Sequence, residues 1–163
     1  MKMPVLFIAH GSPMNAIATN EYTKTLNQLG EKIPTPKVIL CISAHWQTKG
    51  TKIVGVENPE VIYDFQGFPE ELFQVQYPAK GSPEFAEKTQ KLISKSEIVR
   101  NWGLDHGAWS ILKHLYPKAN IPVFQMSMNT SLNEDGHFQL GKNIQKLREL
   151  GVLILGSGNI VII

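Results

Sequence analysis

Short apolar runs, separated by stretches with helical spacing, constrain this fold more than any other feature of the chain. Residues 5–9, 38–42, 52–56, 122–128 and 152–155 are largely apolar, and the third run is rich in β-branched side chains. Each is too short for a buried helix and the right length for a strand. The stretches between them carry helix signals. Asn20 can cap a helix running to about Leu29, with Gly30 as its stop. Ser82-Pro83 opens another, because serine caps well and proline needs no donor at the first helical position. That helix carries Phe85, Leu92 and Ile93 and ends near Ser94; a third covers 108–116 and is closed by Pro117. His137, Leu140, Ile144 and Leu147 share one face of a fourth. Strands alternating with helices predict an α/β fold, and strands apolar throughout predict burial on both faces. The expected architecture is a three-layer α/β/α domain around a central, mostly parallel sheet.

Composition narrows the function classes. At 163 residues the chain is one domain, with 42% hydrophobic and 18% charged residues, enough to build a core and too apolar for disorder. Sixteen basic and fourteen acidic residues are mixed along it, for a net charge of +2, so no basic block argues for nucleic acid or an anionic membrane. A single cysteine, Cys41, excludes an internal disulfide framework and a cysteine-based zinc cluster, and fits a reducing compartment. The apolar run after Lys2 is too short for a signal sequence, and no stretch approaches a membrane span. A soluble, cytoplasmic protein is expected.

In open α/β sheets, ligands bind beyond the carboxyl ends of the strands. Two segments fall there: His10-Gly11-Ser12-Pro13 after the first run and Ser43-Ala44-His45-Trp46 after the second. Neutral imidazole is a common ligand for zinc or ferrous iron. A lone strand-end histidine is better read as bonded to a loop carbonyl. Two at equivalent places make a metal site an equal alternative. His106 sits in Trp102-Gly103-Leu104-Asp105-His106-Gly107-Ala108-Trp109, an aromatic, glycine-flanked loop suited to a proton-transfer group, where Asp105 can cap the following helix. His114 reads as a packed or solvent-facing helix residue and His137 as core edge. The glycine loops at 11–13 and 156–159 lack a complete phosphate-binding pattern, and Ser12 lacks a nucleophile elbow. The loop 63–69, Tyr-Asp-Phe-Gln-Gly-Phe-Pro, offers either a surface loop pinned by phenylalanines or a wall for a flat apolar ligand.

Taken in order, His10-Gly11-Ser12-Pro13-Met14, Ser43-Ala44-His45-Trp46, the 63–69 loop, Tyr77-Pro78-Ala79 with Gly81-Ser82-Pro83, Asp105-His106-Gly107 with Trp109, and Ser157-Gly158-Asn159 resemble the class III extradiol ring-cleavage dioxygenases, in particular the LigB-like 4,5-DOPA extradiol type. The similarity runs over essentially the whole chain. It implies an enzyme using Fe(II), with Zn(II) often in the same site, that opens a catechol ring with O2. By the resemblance, His10 and His45 match two metal ligands and His106 the histidine that assists proton transfer. Ser12, Trp46, Phe65 and Asp105 match positions around the substrate. A metal would lower the pKa of a bound phenol. An imidazolium at His106 would stabilise charge developing on oxygen and supply a proton.

The pattern departs from the family at its end. There Ser-Gly-Asn is followed by two residues and then a histidine, whereas this chain has Ile162 at that position and closes on Ile160-Val161-Ile162-Ile163. A single domain over residues 1–163 that lacks its carboxyl-terminal part is therefore expected, with impaired catalysis and an exposed sheet surface that favours a homo-oligomer. Two rivals stand beside it. A strand followed by His-Gly-Ser also opens some tetrapyrrole chelatases, and the missing histidine suits a non-catalytic member that binds an aromatic ligand.

Overall fold

The computed structural model describes residues 1–160. Ile162, where the family pattern has histidine, lies outside the described residues. The chain runs β1 (Val5–Ile8), α1 (Glu21–Lys32), β2 (Val38–Thr48), β3 (Thr51–Val54), α2 (Pro83–Leu92), β4 (Ser96–Val99), α3 (His106–Leu115), β5 (Val123–Asn129), α4 (Glu134–Ile144) and β6 (Val152–Ser157). Short 3-10 turns cover Pro13–Ala16, Glu70–Gln74 and Gln145–Leu150.

The six strands form one sheet in the order β1-β6-β2-β5-β3-β4. The neighbours β1/β6, β6/β2, β2/β5 and β3/β4 are parallel, and only β3/β5 is antiparallel, through Ile53 and Met126. One apolar layer joins Ile39, Cys41, Leu153 and Leu155 to Leu26 of α1 and Leu112 of α3. The other joins Val38, Leu40 and Ile154 to Ala86 of α2 and Ile144 of α4. The central strands β2, β5 and β6 are thus covered on both faces, as expected, whereas the edge strand β1 is not: Val5 and Phe7 are 52% and 63% exposed. Burial pushes the Cys41 thiol well above its ordinary pKa, so it packs as a small apolar group.

Four expectations are corrected. Helix α1 does not stop at Gly30 but runs to Lys32. A Cβ at Gly30 would collide with the Leu115 carbonyl oxygen, so this glycine permits close α1–α3 packing instead of ending a helix. Strand β2 does not end at Ile42; it continues to Thr48 through a register break against β5 between Ile42 and Gln47. Helix α3 begins at His106, two residues before Ala108, because Asp105 caps it by accepting from Ala108 N. Strand β4 was not expected. It is a four-residue edge strand whose only fully buried side chain is Val99, too weak a pattern to stand out.

Candidate metal centre

The last strand, β6, lies between β1 and β2. His10, just past β1, and His45, in the extension of β2, therefore meet across the carboxyl end of β6 and not on adjacent strands. Their Nε2 atoms are 2.9 Å apart. His106, first residue of α3, joins them: its ring centroid is 3.9 Å from that of His45 and 5.5 Å from that of His10. One ring nitrogen from each of the three lies within 4.8 Å of the others. His10 and His106 are 3% and 5% exposed, while His45 faces solvent and leaves the cluster open on one side.

Each buried imidazole is fixed from behind. His10 Nδ1 is 2.9 Å from Ser157 Oγ, at the end of β6. Asn15 Nδ2 donates to the His10 carbonyl, and Gly11 N donates to Asn159 Oδ1, so the Ser157-Gly158-Asn159 turn and the first 3-10 turn clamp the His10 loop. His106 is held by Asp64, whose Oδ1 accepts from His106 N at 2.9 Å and lies 2.9 Å from His106 Nδ1. Asp64 and the capping Asp105 together set two carboxyl groups at the start of α3, where the helix dipole favours negative charge.

The electrostatics favour neutral imidazoles at the first two positions. Burial, then the neighbouring His45 and His106, lower the His10 pKa to about 4. Burial and His106 lower that of His45. For Asp64, burial pulls the carboxyl up but the bonds from His106 outweigh it, and the net shift is downward. Burial raises Asp105 above its ordinary value, against bonds from Gln125 and Ser43 that favour its charge. Neutral imidazoles with their lone pairs converging are the donor set that zinc or ferrous iron takes. The residues present therefore fit a divalent transition metal.

Around this centre the structure separates the expected substrate residues. Phe65 stands edge-on to His106 at 5.6 Å between centroids and packs on Trp109, Phe68 and Phe73. Trp109 Nε1 donates to Ile62 O and Tyr63 Oη to Val75 O, which pins the 63–69 loop beside α3. Asp105 is close to the centre but fully buried, with Oδ2 accepting from Gln125 Nε2 and Oδ1 from Ala108 N. Ser12 is exposed and accepts from Met14 N, capping the turn that follows. Trp46 points to the opposite side of β2, stacked on Trp102 at 5.3 Å with Val54 and Val99. His114 lies away from the centre, its Nε2 2.6 Å from the Asn15 carbonyl oxygen.

Sequence reasoning missed Asp64, Gln125 and the individual roles of Ser157 and Asn159. Gln125 left a visible signal, a polar residue inside the run Val123-Phe124-Gln125-Met126. Asp64 left none beyond its place before Phe65.

Residues 3–161 match the family model described as the catalytic LigB subunit of aromatic ring-opening dioxygenase. The chain is 41% identical over 163 residues to an Escherichia coli K12 protein named 4,5-DOPA dioxygenase extradiol, covering 98% of this chain and 60% of the relative. It is 44% identical over 161 residues to a Beta vulgaris protein of the same name, covering 94% and 60%. A crystal structure of an uncharacterised Escherichia coli K12 protein superposes with a TM-score of 0.83 at 36% identity, covering 99% of this chain and 62% of that one. The chain thus spans about three fifths of the length of these relatives.

Proposed function

We propose, on the premise that this chain belongs to the family of the catalytic LigB subunit of aromatic ring-opening dioxygenases, that it serves in extradiol cleavage of a catechol-type substrate with O2. A DOPA-like catechol is the substrate class, by analogy with the names of its relatives. The reading rests above all on the convergence of His10, His45 and His106 within 4.8 Å at the carboxyl end of the sheet.

In this reading His10 and His45 hold the metal through imidazole nitrogens that burial keeps neutral. Ferrous iron, when bound, would supply Lewis acidity toward a catechol hydroxyl and the one-electron chemistry that O2 needs; zinc fits the same donors but has no redox chemistry. Asp64 favours a proton on His106 Nδ1, so the opposite nitrogen, Nε2, is the atom at which His106 accepts and returns the substrate's proton. Phe65 offers an aromatic edge to a flat ring. Asp105 acts through the start of α3, Trp46 supports the far side of β2, and Ser12 shapes the His10 loop at the rim. Residues 1–163 belong to a single domain of which they are the larger part, acting in a reducing cytoplasm.

The mutual reach of all three histidines favours a second reading of the same site, with His106 as a third metal ligand. His106→Gln separates the two. Retained Fe(II) affinity with lost turnover assigns His106 to proton transfer, and lost affinity assigns it to the metal. The overall proposal is tested by oxygen uptake and catechol consumption after anaerobic loading with Fe(II), using DOPA and protocatechuate. Slow, iron-dependent consumption supports it together with the expected impairment, robust turnover overturns the impairment, and an iron-loaded chain that consumes neither catechol nor O2 would sink the whole reading.

A further inference from the structure

Ser157 is 2% exposed and touches two groups that fix its role. Its Oγ contacts the Gly107 carbonyl oxygen and, at 2.9 Å, His10 Nδ1. A carbonyl oxygen cannot donate, so the single hydroxyl proton of Ser157 is committed to Gly107. Toward His10 the hydroxyl can then only accept, and the proton in that contact must belong to His10 Nδ1.

We propose that Ser157 is a positioning residue that sets the tautomer of His10, holding its proton on Nδ1 so that a bare Nε2 lone pair faces the histidine cluster. The His10–His45 contact agrees with this assignment. With no proton on His10 Nε2, the 2.9 Å contact is made by the His45 Nε2 proton, which a metal ion would displace. Gly107 is what makes the arrangement possible. A Cβ there would collide with Ser43 Oγ and crowd His45, so glycine lets the first turn of α3 sit close against β2, within reach of Ser157 at the end of the neighbouring β6. One hydroxyl thereby ties the first turn of α3, which carries His106, to the loop that carries His10. Outer-shell partners of this kind are worth roughly 10–100-fold in metal affinity.

The inference deepens the metal-site reading and rests on it only for its affinity arm. In the metal-free chain, long-range proton–nitrogen NMR of His10 reports the tautomer directly. Wild type is expected to show Nδ1–H, and Ser157→Ala to lose that single form. Co2+ titration should show affinity falling roughly 10–100-fold in Ser157→Ala and recovering in Ser157→Thr, which keeps the hydroxyl. A His10 protonated on Nε2 in wild type overturns the proposal, and needs no variant to fold. So does a Ser157→Ala protein whose His10 tautomer is unchanged. If wild type binds no Co2+, the metal reading fails, and the tautomers of wild type and Ser157→Ala still decide the role of Ser157.

Discussion

The two faces of the sheet meet the same strand ends and do opposite things there. On the α3 face, His10 bonds to Ser157 and His45, His45 N donates to Ser43 and its ring lies against His106, and Asp105 pairs with Gln125. On the α4 face, Ile42, Ala44, Met126 and Gly156 line a mostly apolar cavity of about 430 Å³, at which Ser127, His137 and the 157–159 turn are the polar exceptions. The residues come from the same strands and differ by one position. Side chains alternate across a strand, so a one-residue shift in the register of β2 would exchange Ser43 and His45 for apolar groups. The chemistry of this protein is therefore set by register as much as by residue type.

Substitutions can break that contrast in graded steps. The largest effect is expected from His10→Ala on the polar face, with metal affinity falling by more than about 1,000-fold, or about 4 kcal/mol, in Co2+ titration. A loss below tenfold would mean that His10 is not a ligand. On the opposite face, Met126→Ala should cost about 2–5 kcal/mol in urea unfolding, since Met126 is 2% exposed, yet leave Co2+ affinity unchanged. Coupling between that substitution and metal affinity would show that the sheet does not insulate the two faces.

A smaller effect is expected from Asp64→Asn, which removes the carboxylate beside His106. Turnover of the iron-loaded chain should drop roughly 10–100-fold with KM little changed and the pH profile displaced. Unchanged turnover would reduce Asp64 to a loop anchor. A separate effect concerns acid. The folded chain keeps His10 neutral down to about pH 4, whereas the unfolded chain takes up that proton near 6.5. Between those values the unfolded state binds more protons, so metal-free stability is full above 6.5 and falls as pH drops toward 4. Urea midpoints should follow that slope in wild type, and His10→Gln should flatten it.

Much of this was legible in advance. The runs at 5–9, 38–42, 122–128 and 152–155 became β1, β2, β5 and β6 because short, mostly apolar runs stand out from their surroundings, even in β1, where Val5 and Phe7 are exposed. Ser82-Pro83 opened α2 because that cap is local chemistry. Strand β4 escaped notice because two of its four residues, Ser96 and Glu97, are polar, so no apolar run marks it. Gly30 misled because its reason is the backbone of Leu115, far along the chain. In the site, His10, His45 and His106 were recognisable from motif and position, while Asp64 and Gln125 were recognised only by their partners.

The sequence by itself determined most of the alternation of strands and helices, the caps, and the placing of His10 just past a strand, all of which follow from local propensity and hydrophobic period. Only the tertiary structure decided that β6 inserts between β1 and β2, which sets Ser157 against His10 across 147 residues and Gly107 across 50. It likewise brought Asp64 to His106 across 42 residues. Those pairings depend on strand order and on how closely α3 can approach the sheet, and no local pattern along the chain encodes either.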